Sequence, residues 1–361
     1  MFILRRNSKV IQIGKIKIGG SHPIAIQSMT NRPAADFEGT IAQVKALQNA
    51  GCDIVRLAVP EMEDAKIFRE LKNAGITIPL VADIHFDYRI ALESVKWGAD
   101  KIRINPGNIG DKTRVYEVAS ACKTNGLSIR IGVNSGSLDK KLLQKYGAPT
   151  PEALAESALI QAEMLENCGF SDIVISIKSS SVAGTVQAAE IVAENSDYPL
   201  HLGVTEAGDE YTGLVKNAAG IGAMLCRGIG DTIRVSLTAD PVNEVKAGRE
   251  ILRVLGLYTK GSIDIVSCPT CGRTKIDLIQ LQHEFKERTE DIDTHGKVIK
   301  VAIMGCVVNG PGEAREADFG IAGGDGYAML FKAGKPFRRV EQGQIIDALI
   351  KETYAALNEV K

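Results

Sequence analysis

No run of about 18 apolar residues occurs anywhere in the 361-residue chain, so no membrane-spanning helix is expected. Neither sign of charge dominates. With 43 Lys and Arg against 44 Asp and Glu, the net charge of −1 gives no global pull toward nucleic acid or a membrane surface. An aromatic–basic patch of the kind that binds RNA is also missing. The opening MFILRRNSKV lacks the long apolar core of a secretory signal. The seven cysteines are odd in number. Without such a signal they argue against a disulfide framework and for a reducing cytoplasm. The first βα turn, MTNRPAAD, contains no GxGxxG, so a dinucleotide-binding first half is a poor fit. Finally, CPTCG at 268–272 has no second CxxC to complete a zinc ribbon.

What is present is a countable β/α alternation. Runs ending at Met29, Val59, Ile84, Pro106, Asn134, Lys178, Glu206 and Thr238 read as strands, with amphipathic patterns such as GTIAQVKALQNAG and PVNEVKAGREILRVLG between and after them. Repeated βα units make a parallel sheet, and eight of them in residues 1–258 predict a closed (β/α)8 TIM barrel in an α/β protein, with a doubly wound open sheet as the alternative.

The strands carry charge where parallel strands are normally apolar. Arg56, Arg103, Arg130 and Arg234 interrupt β-branched runs, and Lys178 ends one. A buried cation is costly unless paired. The set therefore predicts a pocket for a multiply charged anion, and arginine suits bidentate phosphate recognition. The alternative is a set of structural ion pairs with Asp53, Asp83, Asp100 or Glu206. Further polar residues collect at the C-terminal strand ends, where barrel active sites form: Gln27, Ser28, Asn31, Asp83, His85, Asn105, Asn134, Ser137, Ser179, Ser180, Glu206 and Ser236.

After Leu257 the pattern changes to a small α+β domain over 259–361. A cysteine turn opening a helix, the strand KVIKVAIMG, the turn NGPGE, strands at DFGIAG, YAMLF and FRRV, and a closing helix follow in order. Cys52, Cys122, Cys168 and Cys226 stand singly and read as small buried hydrophobes. Cys268, Cys271 and Cys306, with Glu313 nearby, are soft ligands on turns. Zinc completed by His283 or His295 is one reading. A [4Fe–4S] cluster with one exchangeable iron is the other, and the spacing favours it.

CPTCGR and MGCVVNGPGEAREAD closely resemble the cluster region of the bacterial 4-hydroxy-3-methylbut-2-enyl diphosphate synthase family. QSMTN at 27–31, DIVRLAVP at 53–60, ADIHFD at 82–87, KIRINPGN at 101–108, RIGVNSGSL at 130–138 and VTEAG at 204–208 are similar to its barrel segments. The resemblance spans essentially the whole chain and fits the short, two-domain form. It implies a [4Fe–4S] cluster on Cys268, Cys271, Cys306 and Glu313. It implies 2-C-methyl-D-erythritol 2,4-cyclodiphosphate as substrate, opened and dehydroxylated with two electrons from flavodoxin or ferredoxin. Arg56, Arg103, Arg130, Asn134 and Lys178 would grip the diphosphate, and Glu206 would be the acid at the departing hydroxyl. The rival reading is a non-redox phosphate-binding barrel transferase with a zinc-stapled tail. A helix over 241–255 would carry the chain about 20 Å from the barrel mouth. The expected assembly is therefore a head-to-tail homodimer in which each small domain caps the partner's barrel.

Overall fold

Short β-branched runs flanked by amphipathic helices form the expected units in turn. The computed structural model describes residues 3–307 and 315–359. The chain divides into two compact units, Met1–Tyr258 and Thr259–Lys361.

The first unit opens with a hairpin the sequence reading did not foresee, β1 (Ile11–Ile13) and β2 (Ile16–Ile18). Gly14 at φ +52° supplies the left-handed turn position between them. Eight parallel strands follow: β3 (Ala25–Met29), β4 (Ile54–Ala58), β5 (Leu80–Asp83), β6 (Lys101–Ile104), β7 (Ser128–Asn134), β8 (Ile173–Lys178), β9 (His201–Leu202) and β10 (Thr232–Ile233). They pair in the order β8-β7-β6-β5-β4-β3-β10-β9, and a bridge between Ile175 and Leu200 joins the two ends. The barrel is therefore nearly closed, and the α/β barrel class is borne out.

The helices are α1 (Phe37–Asn49), α2 (Ile67–Asn73), α3 (Tyr88–Lys96), α4 (Lys112–Thr124), α5 (Lys140–Tyr146), α6 (Pro151–Glu166), α7 (Val182–Asn195), α8 (Glu210–Cys226) and α9 (Pro241–Val254). All but α2 start on an Asp, Ser or Thr whose side chain accepts a first-turn N–H. Among the described residues no helix is long and apolar enough to cross a membrane.

Strand alternation sorts the core into two shells. Ile26, Val55, Ile102, Ile129, Ile131 and Ile175 face outward under the helices. Ala25, Ile54, Val81 and Val174 face inward and meet Ile11, Ile13 and Ile18 of the hairpin. The hairpin is thus an apolar plug in the floor of the barrel. The seventh and eighth strands are much shorter than HLGVTE and TIRVSLT suggested. Beyond Arg234, whose N–H still donates to the Leu202 carbonyl, the backbone of Ser236 bonds to the Asn217 side chain instead of a neighbouring strand.

The second unit is a five-stranded sheet. β11 (Ser262–Ser267), β12 (Val298–Met304) and β13 (Phe319–Gly324) are parallel, and β14 (Tyr327–Lys332) and β15 (Lys335–Glu341) continue it antiparallel. Helices α10 (Leu278–Thr289) and α11 (Ile345–Asn358) bury Phe285, Ile345 and Leu349 against Val301, Ile303 and Ile321. β11 was not read from the sequence because it is half-exposed and lacks a clean apolar run. The cysteine turn does not open α10 directly: the helix starts six residues after Gly272, on the cap Asp277.

Truncation of the plug should open a cavity beneath the charged interior. Ile13→Ala or Ile18→Ala is expected to cost about 2–5 kcal/mol, read as a lowered urea midpoint with unchanged helix content. A loss within error would mean that the hairpin is not part of the core.

Candidate functional site

Inward-facing residues of the upper barrel converge on a cavity of about 270 Å³ lined by Arg56, Asp83, His85, Arg103, Arg130, Asn134, Ser176, Lys178, Thr205, Glu206, Arg234 and Ser236. All five strand cations singled out in the sequence are there, with Asn134 and Glu206. Ser176 and Thr205 were not singled out. Ser176 lies inside a run that reads as uniformly buried strand, and Thr205 lies beyond the shortened β9.

Asp83 organises the cations. It is 4 % exposed, and its Oδ1 accepts from Arg103 Nη1 at 3.0 Å, while Arg56 Nε stands 3.6 Å from Oδ2. Burial works to raise this carboxyl, but Arg56 and Arg103 outweigh it and hold it below the usual range. Arg56 also directs Nε and Nη2 at Met29 Sδ, at 3.1 and 2.9 Å. Arg234 binds Glu244, from the first turn of α9, at 3.2 Å. It is both a structural ion-pair member and a cavity wall, and the partner is none of the acids considered from sequence. Asp53 and Asp100 instead accept the backbone N–H groups of Ile26 and Leu80.

One carboxylate cannot neutralise this set. Arg103 Nε and Arg130 Nε and Nη1 are buried without a hydrogen-bond partner. Burial, then Asp83 in opposition, leaves Arg56 lowered to about 10. Burial first, and neighbouring guanidinium groups next, push Arg130 and Lys178 well below their ordinary values. A guanidinium keeps its proton at these pressures, so the field is a standing demand for an anion. Glycines make the crowding possible. A Cβ on Gly132 would lie 2.5 Å from Arg103 Nε, and one on Gly203 would lie 3.0 Å from Lys178 Nζ.

At the rim, Glu206 is exposed and holds φ +52°, a left-handed conformation costly for a non-glycine residue. His85 Nε2 is 3.4 Å from Arg103 Nη1. Not every polar residue expected at the mouth belongs to it. Ser28 donates to Glu244 at 2.8 Å, Asn31 pairs with Gln43, and Ser179 is spent on Ser181 and Thr185 at the start of α7.

In the second unit the cysteine turns share one end of the sheet. β11 and β12 run side by side, so Cys268 emerges next to Met304. The Gly305 N–H points at Cys268 Sγ at 3.3 Å, and the Lys275 N–H donates to the Gly305 carbonyl at 2.9 Å. Hydrogen bonds from Arg273, backbone then side chain, lower the Cys271 thiol toward thiolate. Cys306 lines a surface cavity of about 310 Å³ with Arg273, Lys275 and Tyr327. Glu313 lies outside the described residues. Among the described residues no three His, Cys, Asp or Glu side chains converge as a single metal ion requires. His283 pairs with Glu287 and His295 with Asp293.

The cavity chemistry fixes a pH dependence. Burial first, and then Arg234, Arg56, Arg130 and Arg103, depress the Lys178 amine, and a bound anion should restore it. Anion binding therefore gains most from Lys178 at low pH and loses that gain as pH rises toward the ordinary lysine value of 10.5. The ratio of wild-type to Lys178→Met affinity for inorganic pyrophosphate, measured calorimetrically, should fall with rising pH. A flat ratio would contradict the assignment.

Comparison with known proteins agrees along the whole chain. Residues 8–249 match the GcpE TIM-barrel domain and residues 264–355 the GcpE protein C-terminal domain. The 4-hydroxy-3-methylbut-2-en-1-yl diphosphate synthase (flavodoxin) of Caldanaerobacter subterraneus is 54% identical over 359 residues, 99% of this chain and 100% of that protein. That of Clostridium perfringens is 54% identical over 347 residues, 96% of this chain and 98% of that protein. Among solved structures, dihydropteroate synthase from Thermus thermophilus superposes with a TM-score of 0.50 at 16% identity, covering 69% of this chain and 98% of that one, a likeness of fold alone. With both domains matched in order and half of the residues shared with full-length relatives, this chain belongs to the GcpE family.

Proposed function

We propose that this chain converts 2-C-methyl-D-erythritol 2,4-cyclodiphosphate to 4-hydroxy-3-methylbut-2-enyl diphosphate. The observation that carries the reading is the cavity of five cations around a single buried carboxylate. Its charge excess matches a diphosphate, and its relatives are named as synthases of that product. Two electrons and two protons open the ring and release the hydroxyl as water. Flavodoxin is the donor named for the relatives, and a ferredoxin would serve the same chemistry. The seven free thiols suit a reducing cytoplasm.

Each residue has a role in this reading. Arg56, Arg103, Arg130 and Lys178 neutralise the diphosphate, and Asn134 adds an amide at the cavity wall. Asp83 keeps Arg56 and Arg103 aimed while leaving one of their two charges for substrate. Glu206, at the rim and in a constrained backbone conformation, gives its proton to the departing hydroxyl. Cys268, Cys271, Cys306 and Glu313 would hold a [4Fe–4S] cluster. Three soft thiols on adjoining turns at one end of the sheet suit such a cluster, as does the spacing of CPTCG with a lone Cys306. When bound, such a cluster supplies electrons singly and an iron open to substrate oxygen.

Anaerobic preparations should contain about four iron and four sulfide per chain, and Cys306→Ser should lose turnover while the barrel unfolds at the same midpoint. Stoichiometric zinc from an iron-replete, oxygen-free preparation would favour the transferase-like alternative.

The head-to-tail homodimer belongs to the same proposal. The 14 residues of α9 span about 21 Å, and little chain separates its end from Cys268, so a partner's thiol turns are the easier cap for each barrel. Mixed dimers of Cys306→Ala and Arg130→Ala chains should recover about a quarter to a half of wild-type activity, since one composite site per dimer stays intact. No recovery in verified mixed dimers would mean that each chain caps itself.

A further inference from the structure

Below the cavity the barrel axis stays polar where such barrels are filled by branched apolar residues. Followed around the barrel, the strand register stacks Gln27, Val81, Arg130 and His201 in one layer and Ile54, Lys101, Val174 and Thr232 in the layer beneath. Lys101, Gln27 and Arg130 are each 1 % exposed and His201 is 2 % exposed. Gln27 Nε2, His201 Nε2 and Arg130 Nε and Nη1 are buried without a hydrogen-bond partner, as is the Oγ of Ser128, which sits beside Lys101 across β6 and β7. Burial and then Arg130 press on the Lys101 amine, and no carboxylate acts on it. Asp83 is committed higher up, to Arg103 and Arg56.

The chemistry of this set is one-sided. A guanidinium, an ammonium and an amide nitrogen only donate. His201 Nδ1 lies 2.8 Å from Thr232 Oγ1. With that hydroxyl donating to Nδ1, the Nε2–H is one more donor. The Ser128 hydroxyl can accept as well as donate, but the unpartnered donors outnumber it, and a water molecule would add two more protons to that excess. A small anion accepts from every side and offsets two cations that form no direct ion pair among the described residues. Ile11, Ile13 and Ile18 pack beneath these layers, and the layer of Arg56, Arg103 and Arg234 lies above them.

We propose that the two central layers form an internal site for a monovalent halide-sized anion, held by Lys101, Gln27, Arg130 and His201, beneath the diphosphate cavity and sharing Arg130 with it. Its effect is to hold Arg130 from beneath. Two guanidinium nitrogens are engaged by the internal ion, and the remaining one is left to face the cavity.

Bromide is the probe. Crystals of the full-length protein, grown in bromide with pyrophosphate saturating the upper cavity, should give an anomalous peak among Lys101, Gln27, Arg130 and His201. In solution, replacing gluconate by bromide at constant ionic strength should raise the unfolding midpoint of the barrel by roughly 3–8 °C. Lys101→Met, folded by circular dichroism, should lose that response. An anomalous peak confined to the upper cavity, or none at all, would overturn the proposal whether or not the variant folds. Failure of pyrophosphate to bind while the internal peak persists would count against the proposed function and leave this site standing.

Discussion

Everything above the barrel floor depends on one imbalance: four buried cations and a half-buried Arg234 gathered around Asp83. Buried charge without a counter-ion is among the most expensive things a fold can contain. The apolar shells on the outer barrel face and at the floor stabilise the scaffold strongly enough to hold it. Asp83 is the minimum needed to orient two guanidinium groups, and Glu244 anchors a third from outside the sheet. The remaining electrostatic deficit is stored as affinity for whatever anion completes the set. The empty site is therefore less stable than its ligated form by construction, which is the electrostatic preorganisation that transition-state stabilisation requires.

The two units divide the chemistry by softness. Hard, oxygen-seeking cations sit on rigid strands of the barrel, where strand register fixes their heights. Soft thiols sit on turns at the end of a smaller sheet, where glycines allow close approach. A Cβ on Gly305 would press on Thr274, and one on Gly323 on the Gly305 carbonyl. Strands keep a constellation fixed to within fractions of an ångström, while turns can wrap a bulky body.

Much of this was legible in the sequence because its signals are violations of pattern. Arg56, Arg103, Arg130 and Lys178 stand out since a parallel strand should be apolar there, and CPTCG with a lone Cys306 stands out since a zinc ribbon should have a second pair. What escaped was whatever pattern cannot encode. The plug strands have three residues each, too few for a period. Lys101 and His201 open their strands and look like boundary residues, yet the register carries them to the barrel axis. Ser28 and Glu244 meet only through the packing of α9, 216 positions apart. In a barrel both faces of a strand are buried, so alternation separates two shells without saying which is the interior.

The apolar hairpin under the barrel has a kinetic meaning. With the floor sealed by Ile11, Ile13 and Ile18, a phosphorylated molecule enters and leaves the barrel through the same mouth. On the proposed function, a product that keeps its diphosphate is released from the same guanidinium groups that captured its precursor. Tightening that grip speeds capture and slows departure together, so the residence time of product sets a ceiling on turnover that no improvement in capture can lift.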